Sequence, residues 1–282
     1  MNLVRATKDN FNEIAYLWAN TDVAQAVMEG HCFSGYAHFI QSGMSEGRNQ
    51  LLTTRNDASI EANFQAHDLP RAEKTVDSNL LKLVESIIKP GMNLLEIGSR
   101  EVTGPGHLRG FVEAAGGNYV GFDFYPGKNV DVAGDAHRLS SYFDTTFDFI
   151  YTAAVFEHLA MPWVVAVEIA KSLKINGHLL AQTHFSFSAH ERPWDFFRFS
   201  DMGLKVLFNA AFGFECIEAS MSNPVVAKFG VIASDYLRGR PVGNMYCHSS
   251  YFGKKVAEAA SYEWSQLELS SVVGGTFYPA PQ

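Results

Sequence analysis

Residues 92–106, MNLLEIGSREVTGPG, limit what this chain can become more than any other stretch. Leu94, Leu95 and Ile97 make a compact apolar run around Glu96, which reads as a strand buried on both faces of a parallel sheet. The run breaks at Gly98-Ser99-Arg100, with Thr103, Gly104 and Gly106 behind it. Small residues there let the backbone come close to a ligand, because no Cβ stands in the way. A strand that empties into such a loop, with a helix following, is how open α/β sheets build a ligand crevice. An ordinary strand-to-helix turn has the same local composition, so the rest of the chain has to decide.

Strands and helices alternate around this stretch. A helix is expected over 75–88, with Leu80, Leu81, Val84, Ile87 and Ile88 inward and Pro90-Gly91 as its stop. Short strands are expected at 118–124, 130–133, 147–152, 178–184 and 214–219, and helices at 108–115, 157–173 and 202–212. Val165, Ile169 and Leu173 give the second of those helices an apolar face, flanked by Ala166 and Ala170. Residues 247–256 read as a last strand, antiparallel at the sheet edge. This period is that of βαβ units, which predicts a mostly parallel sheet with helices on both faces. Upstream, residues 8–28 read as a helix with Ile14, Leu17, Trp18 and Thr21 on one face, and residues 31–68 are polar and irregular. The expected division is therefore a helical extension over 1–72, a candidate lid, and a catalytic domain over 73–282.

Composition narrows the partners. Thirty acidic residues against 22 basic ones give a net charge of −8, with no Lys/Arg run, so a nucleic-acid backbone is not the expected partner. Cys32, Cys216 and Cys247 are far apart and form no C-x-x-C pair, which points to reducing, cytoplasmic conditions and gives no basis for assigning a metal. No apolar run approaches the ~20 residues needed to span a bilayer, so no membrane partner is expected. A homo-oligomer stays open.

Ligands in open α/β sheets bind beyond the carboxyl ends of the strands. That selects Gly98 and the loop after it, Asp123, Gly134-Asp135-Ala136-His137, the 153–158 segment, and 184–198. Asp123 lies 25 positions after Gly98, where a carboxylate accepts hydrogen bonds from ribose hydroxyls. Asp135 offers a second carboxylate, suited to an adenine amino group. The loop lacks G-x-G-x-x-G and has no P-loop lysine, which disfavours NAD and ATP.

Leu95-Glu96-Ile97-Gly98-Ser99, Gly121-Phe122-Asp123, Gly134-Asp135-Ala136-His137, Phe147-Asp148 and Phe156-Glu157-His158-Leu159 stand in the order found in class I S-adenosylmethionine-dependent methyltransferases. Over residues 75–220 the chain resembles that family, and Leu173 to His178 resembles its L-x-P-G-G turn. The resemblance implies a Rossmann-like α/β fold and S-adenosylmethionine as cofactor. It places Glu96, Gly98 and Ser99 around the methionine part, Asp123 on the ribose, and Asp135 with Ala136 near the adenine. Arg100 departs from the family's E-x-G-x-G-x-G loop, and either folds outward or narrows the cofactor site. Asn176-Gly177 replaces Pro-Gly-Gly.

Methyl transfer from a sulfonium needs alignment and exclusion of water, and a general base where the acceptor is a hydroxyl. His184, His190 and His158 are the candidate bases, with Glu157 beside them. His190-Glu191-Arg192-Pro193-Trp194-Asp195-Phe196-Phe197-Arg198 supplies aromatic walls and polar groups for an acceptor pocket. Two of these groups have structural alternatives: His158 as a turn partner at a helix start, and Asp195 with Arg198 as a helical i,i+3 pair. The expected activity is methylation of oxygen or nitrogen on a small molecule, a sugar or secondary metabolite. Phe156-Glu157-His158 and His184 also look like positions in fatty-acid cyclopropane synthases, so a carbon-methylating or cyclopropanating lipid enzyme is the alternative. A non-catalytic scaffold is the third reading.

Overall fold

The computed structural model describes residues 3–51, 76–102, 108–225, 227–243 and 245–273. Thr103, Gly104 and Gly106 of the glycine loop lie outside the described residues. The chain groups into two compact units, Met1–His67 with Val226–Met245, and Asp68–Val225 with Tyr246–Gln282. This grouping differs from the sequence boundary at 72/73, because residues 226–245 join the N-terminal part.

The larger unit holds strands β1 (Asn93–Ile97), β2 (Asn118–Asp123), β3 (Val132–Ala133), β4 (Phe147–Ala153), β5 (Leu173–His184), β6 (Phe214–Pro224) and β7 (Tyr246–Lys255). Its main helices are α1 (Val76–Ile87), α2 (Leu108–Ala114), α3 (Pro162–Ser172) and α4 (Asp201–Leu207). The seven strands lie in the order β3-β2-β1-β4-β5-β7-β6. β1 through β5 pair in parallel, and β7 runs antiparallel to both β5 and β6. The sheet is therefore α/β and Rossmann-like. The antiparallel strand is inserted between β5 and β6, and β6 forms the edge.

Alternation along the buried strands feeds two cores, one on each face. Leu95, Ile97 and Ile150 pack with Val165, Ala166, Ile169 and Ala170 of α3. Leu94, Phe149 and Tyr151 pack with Leu80 and Val84 of α1 and Val112 of α2. Leu81, expected inward, is 37% exposed. The helix expected over 157–173 starts only at Pro162, whose missing N–H costs nothing at a first turn. Before it stands a 3₁₀ turn, Phe156–His158. Lys255, 1% exposed on β7, donates from Nζ to the carbonyls of Ala170 (2.8 Å) and Leu173 (3.0 Å), satisfying acceptors left open at the end of α3.

Gly213 shows where backbone freedom is required. Its φ is +85°, and a Cβ there would lie 2.0 Å from the Ala257 carbonyl oxygen. Gly213→Ala should therefore cost at least about 2 kcal/mol of stability, read as a lowered denaturation midpoint. An unchanged midpoint would show that the 213/257 junction yields.

In the smaller unit, the helix expected over 8–28 is two helices, Glu13–Ala19 and Thr21–Met28. Asn20 breaks them apart: buried, it donates from Nδ2 to the carbonyls of Tyr16 and Asn49. Ala15 and Tyr16 are buried, whereas Ile14 is 69% exposed. A short antiparallel pair of Leu3–Arg5 with Asn49–Leu51 belongs to that unit, as do helical turns over 35–46 in the stretch expected to be irregular. Among the described residues no helix is long and apolar enough to cross a membrane.

Candidate active site

The strand order reverses between β1 and β4, so the crevice of this sheet opens where those two strands end. Gly98 follows β1 with φ +84°, and a Cβ there would meet Val155 Cγ2 at 2.3 Å. Only glycine fits the approach of these two loops. Ser99 is buried, and its Oγ has no hydrogen-bond partner among the described residues. Asp123 closes β2, and Asp135 stands two residues beyond β3, on the neighbouring strand end.

Several of these groups have protein partners. The Asp123 carboxylate accepts from the Arg100 amide (3.3 Å) and from Arg100 Nε (3.4 Å). Arg100 thus folds onto Asp123, with its stem beside Gly127. Asp135 accepts from the His137 amide at 2.9 Å and contacts its Nδ1 at 2.6 Å. Burial pushes the Asp135 carboxyl up, but these bonds and the His137 charge outweigh it and hold it below the ordinary range. Ala136 is buried in the first core. Glu96 accepts a hydrogen bond from Tyr119 Oη at 2.5 Å, and Asn129 Nδ2 donates to the same hydroxyl at 2.9 Å. Burial pushes the Glu96 carboxyl up against that bond.

The second cluster sits on the 3₁₀ turn, the end of β5 and the segment after it. Glu157 is fully buried; its Oε2 accepts from Thr183 Oγ1 at 2.7 Å, and its Oε1 lies 2.5 Å from His184 Nδ1. Burial drives the Glu157 carboxyl up, but His184 and Thr183 outweigh it, so it titrates below the ordinary range. His184 is the last residue of β5, 7% exposed, and stacks on Phe187 at 4.3 Å. His190 lies edge-on to both His184 (5.2 Å) and His158 (4.8 Å). All four candidate catalytic residues therefore come together.

Two of the histidines carry a readable tautomer. His158 Nδ1 lies 2.5 Å from the Trp194 carbonyl, and His190 Nδ1 lies 3.0 Å from the Ser188 carbonyl. A carbonyl only accepts, so a neutral ring carries its proton on Nδ1 and keeps a lone pair on Nε2. His158 stands in the 3₁₀ turn and not at a helix start.

Asp195 and Arg198 pair as expected, at 2.6 and 3.1 Å, but in an irregular loop rather than in a helix. The pair organises the loop: Asp195 also accepts from the His190 amide, and Arg198 also donates to the Ser188 carbonyl. Amides of Phe196 and Phe197 bond the Glu157 carbonyl, and that of Phe199 bonds the His184 carbonyl. Phe124, next to Asp123, comes within 6.2 Å of the Trp194 ring, so aromatic residues run between the two clusters.

Sequence reasoning missed His248 and Cys247. His248 pairs directly with His184 across β7 and β5, and their rings lie 5.2 Å apart. Only the strand register brings them together, and no motif spacing announces it.

The strand ends fit an adenosyl cofactor: a buried hydroxyl without a partner, a glycine approach, and carboxylates on adjacent strands. The model of the methyltransferase domain family matches residues 66–218, more than half of the chain. Among solved structures, TehB from Haemophilus influenzae is similar at 14% identity and TM-score 0.43, covering 63% of this chain and 62% of its own. A SAM-dependent methyltransferase from Archaeoglobus fulgidus is similar at 13% identity and TM-score 0.46, with 64% of this chain and 93% of its own covered. The YcgJ protein of Bacillus subtilis follows at 17% identity and TM-score 0.45, covering 64% and 99%. No curated protein sequence matches the chain. The matched family model, over a strand order with its crevice at β1 and β4, makes the chain a member of the methyltransferase domain family, an enzyme whose methyl donor is S-adenosylmethionine.

Proposed function

We propose that the enzyme methylates an oxygen or nitrogen of a small polar molecule, a sugar or secondary metabolite, in a cytoplasmic biosynthetic step. The observation that carries this reading is the convergence of His158, His184 and His190, beside the cofactor crevice and under an aromatic rim. S-adenosylmethionine supplies an activated methyl on a sulfonium. Gly98 and Ser99 would bound its methionine end, with Glu96 behind them; Asp123 would accept from the ribose hydroxyls, and Asp135 with Ala136 would border the adenine. His190 takes the acceptor's proton on Nε2, since its Nδ1–H is committed to the Ser188 carbonyl. His184, held by Glu157, forms the buried floor below it, and His158 the side. Trp194, Phe196 and Phe187, each about half exposed, cover the acceptor and exclude water. A lipid enzyme would need a long apolar channel, and this cluster is polar at its base.

The test is calorimetric titration with S-adenosylmethionine, S-adenosylhomocysteine and NAD, followed by an acceptor screen scored by S-adenosylhomocysteine release. Binding of both adenosyl compounds and release with hydroxylated or amino small molecules support the reading. Release with phospholipid alone would overturn it in favour of the lipid enzyme, and binding without release from any acceptor in favour of the scaffold. Arg100→Ala should tighten S-adenosylmethionine binding about two- to fivefold, because a half-exposed ion pair no longer competes for Asp123. Weaker binding would make Arg100 a cofactor contact instead.

A further inference from the structure

We propose that His184, Cys247 and His248 bind a divalent transition metal of the zinc class at the carboxyl edge of the sheet. The register supplies the frame. His248 on β7 stands directly opposite His184 on β5 and directly opposite Ser222 on β6. Directly paired residues share a face of a sheet, so three polar side chains form a row across three strands. Cys247 Sγ lies 3.7 Å from His248 Nε2, and one donor atom from each of His184, Cys247 and His248 lies within 4.8 Å of the others.

The flanking groups match what metal-bound histidines need. A ligating imidazole is held through its other ring nitrogen, which fixes its tautomer and orientation. Glu157 Oε1 is 2.5 Å from His184 Nδ1, and the Asn223 side chain lies against His248, its Nδ2 2.8 Å from Nδ1. Glu157 thus stands on the δ side of His184, which turns its Nε2 toward the metal, and ligation by His248 Nε2 requires the Asn223 amide to turn so that its oxygen accepts from Nδ1–H. Glu157, His184 and His190 also lie close enough to hold an ion. Two ligands at zinc's bond lengths sit about 3.3 Å apart in a tetrahedron. Glu157 and His184 are closer than that, so Glu157 is a partner of the histidine and not a fellow ligand. Independently, Ser222 is 3% exposed and its Oγ has no hydrogen-bond partner among the described residues. A buried hydroxyl on the same face as His248 is one that a metal-bound water would satisfy.

One thiolate and two imidazoles select zinc, cobalt or copper over magnesium and calcium, which prefer oxygen. On binding, the sulfur–metal bond forms as the Cys247 thiol releases its proton to solvent. Three protein ligands leave one coordination position for water or an acceptor oxygen, the arrangement of catalytic rather than structural zinc. Only that last role rests on the methyltransferase reading; metal binding does not.

The experiment is elemental analysis of the full chain purified under reduction, then titration of the metal-free protein with Co²⁺ followed by absorption. The expected result is about one zinc per chain and, with Co²⁺, a thiolate-to-metal charge-transfer band. Cys247→Ser should abolish that band, His248→Gln should weaken Co²⁺ binding at least about tenfold, and Cys216→Ser should change neither. Absence of zinc together with absence of the band in the parent chain overturns the site, as does a band that survives Cys247→Ser. Should either variant fail to fold, the parent spectrum decides by itself. S-adenosylmethionine titration of the same samples separates the readings, since absence of cofactor binding with the cobalt band intact would overturn the proposed function and leave the metal site.

Discussion

His190→Gln is expected to lower turnover about 10²–10⁴-fold with a hydroxyl acceptor while leaving S-adenosylmethionine affinity unchanged. The size follows from the role. A hydroxyl is a poor nucleophile until its proton leaves, and His190 keeps its Nε2 lone pair because Nδ1 is tied to Ser188. Glutamine retains a polar side chain of similar reach without the basic nitrogen, so the loss should appear in kcat more than in KM. It should shrink with an acceptor whose own proton is already gone at neutral pH. Equal losses for both acceptor types would make His190 a positioning group. Unchanged turnover with both would move the reaction away from this cluster.

Asp123→Ala is expected to weaken S-adenosylmethionine binding about 10- to 150-fold, from the ~1.5–3 kcal/mol that hydrogen bonds to a charged group contribute. The carboxylate stands at the end of β2, beside the switch point, and its present partner Arg100 is side-chain exposed enough to give way. Asp123→Asn is the more informative companion. It keeps one acceptor oxygen and relieves Arg100, so it should fall between the parent and alanine in a titration calorimeter. Parent-like affinity in both variants would mean that the ribose is held elsewhere.

How much of this was legible in the sequence depends on whether a feature is local. The parallel strands were readable because burial on both faces leaves short apolar runs such as Leu94 to Ile97 and Phe147 to Thr152. Asp123 was readable because it ends such a run. The 3₁₀ turn at Phe156–His158 was not, since residues 157–173 keep helical spacing straight through it. Proline at 162 was the unused signal, marking a first turn rather than a continuation. Asn20 similarly broke a helix whose apolar period looked continuous, and its buried amide acts through strand 49–51 far along the chain. The place of β7 was hidden for a related reason. A strand's own residues show that it is a strand but not which neighbours it pairs with. His184 and His248, 64 positions apart, become neighbours only when β7 enters between β5 and β6. Arg100 was visible as a departure in the glycine loop, yet its partner was not, because side-chain pairing across two strand ends leaves no period to read.

The inserted position of β7 has a consequence for synthesis. When β6 has left the ribosome at residue 224, the edge of β5 that β7 will cover is still unpaired, and so is the inner edge of β6. The 31 residues from 225 to 255 must follow before one strand closes both, which takes about 2–6 s at ~5–20 residues per second. During that interval the nascent chain carries two open strand edges, the surfaces that template association between chains. The same late strand delivers Cys247, His248 and the buried Lys255. The polypeptide thus acquires its closed sheet, the cap on α3 and the far side of its histidine cluster in one vectorial step. Ribosomes stalled within 225–245 would release chains that are sticky and inactive together.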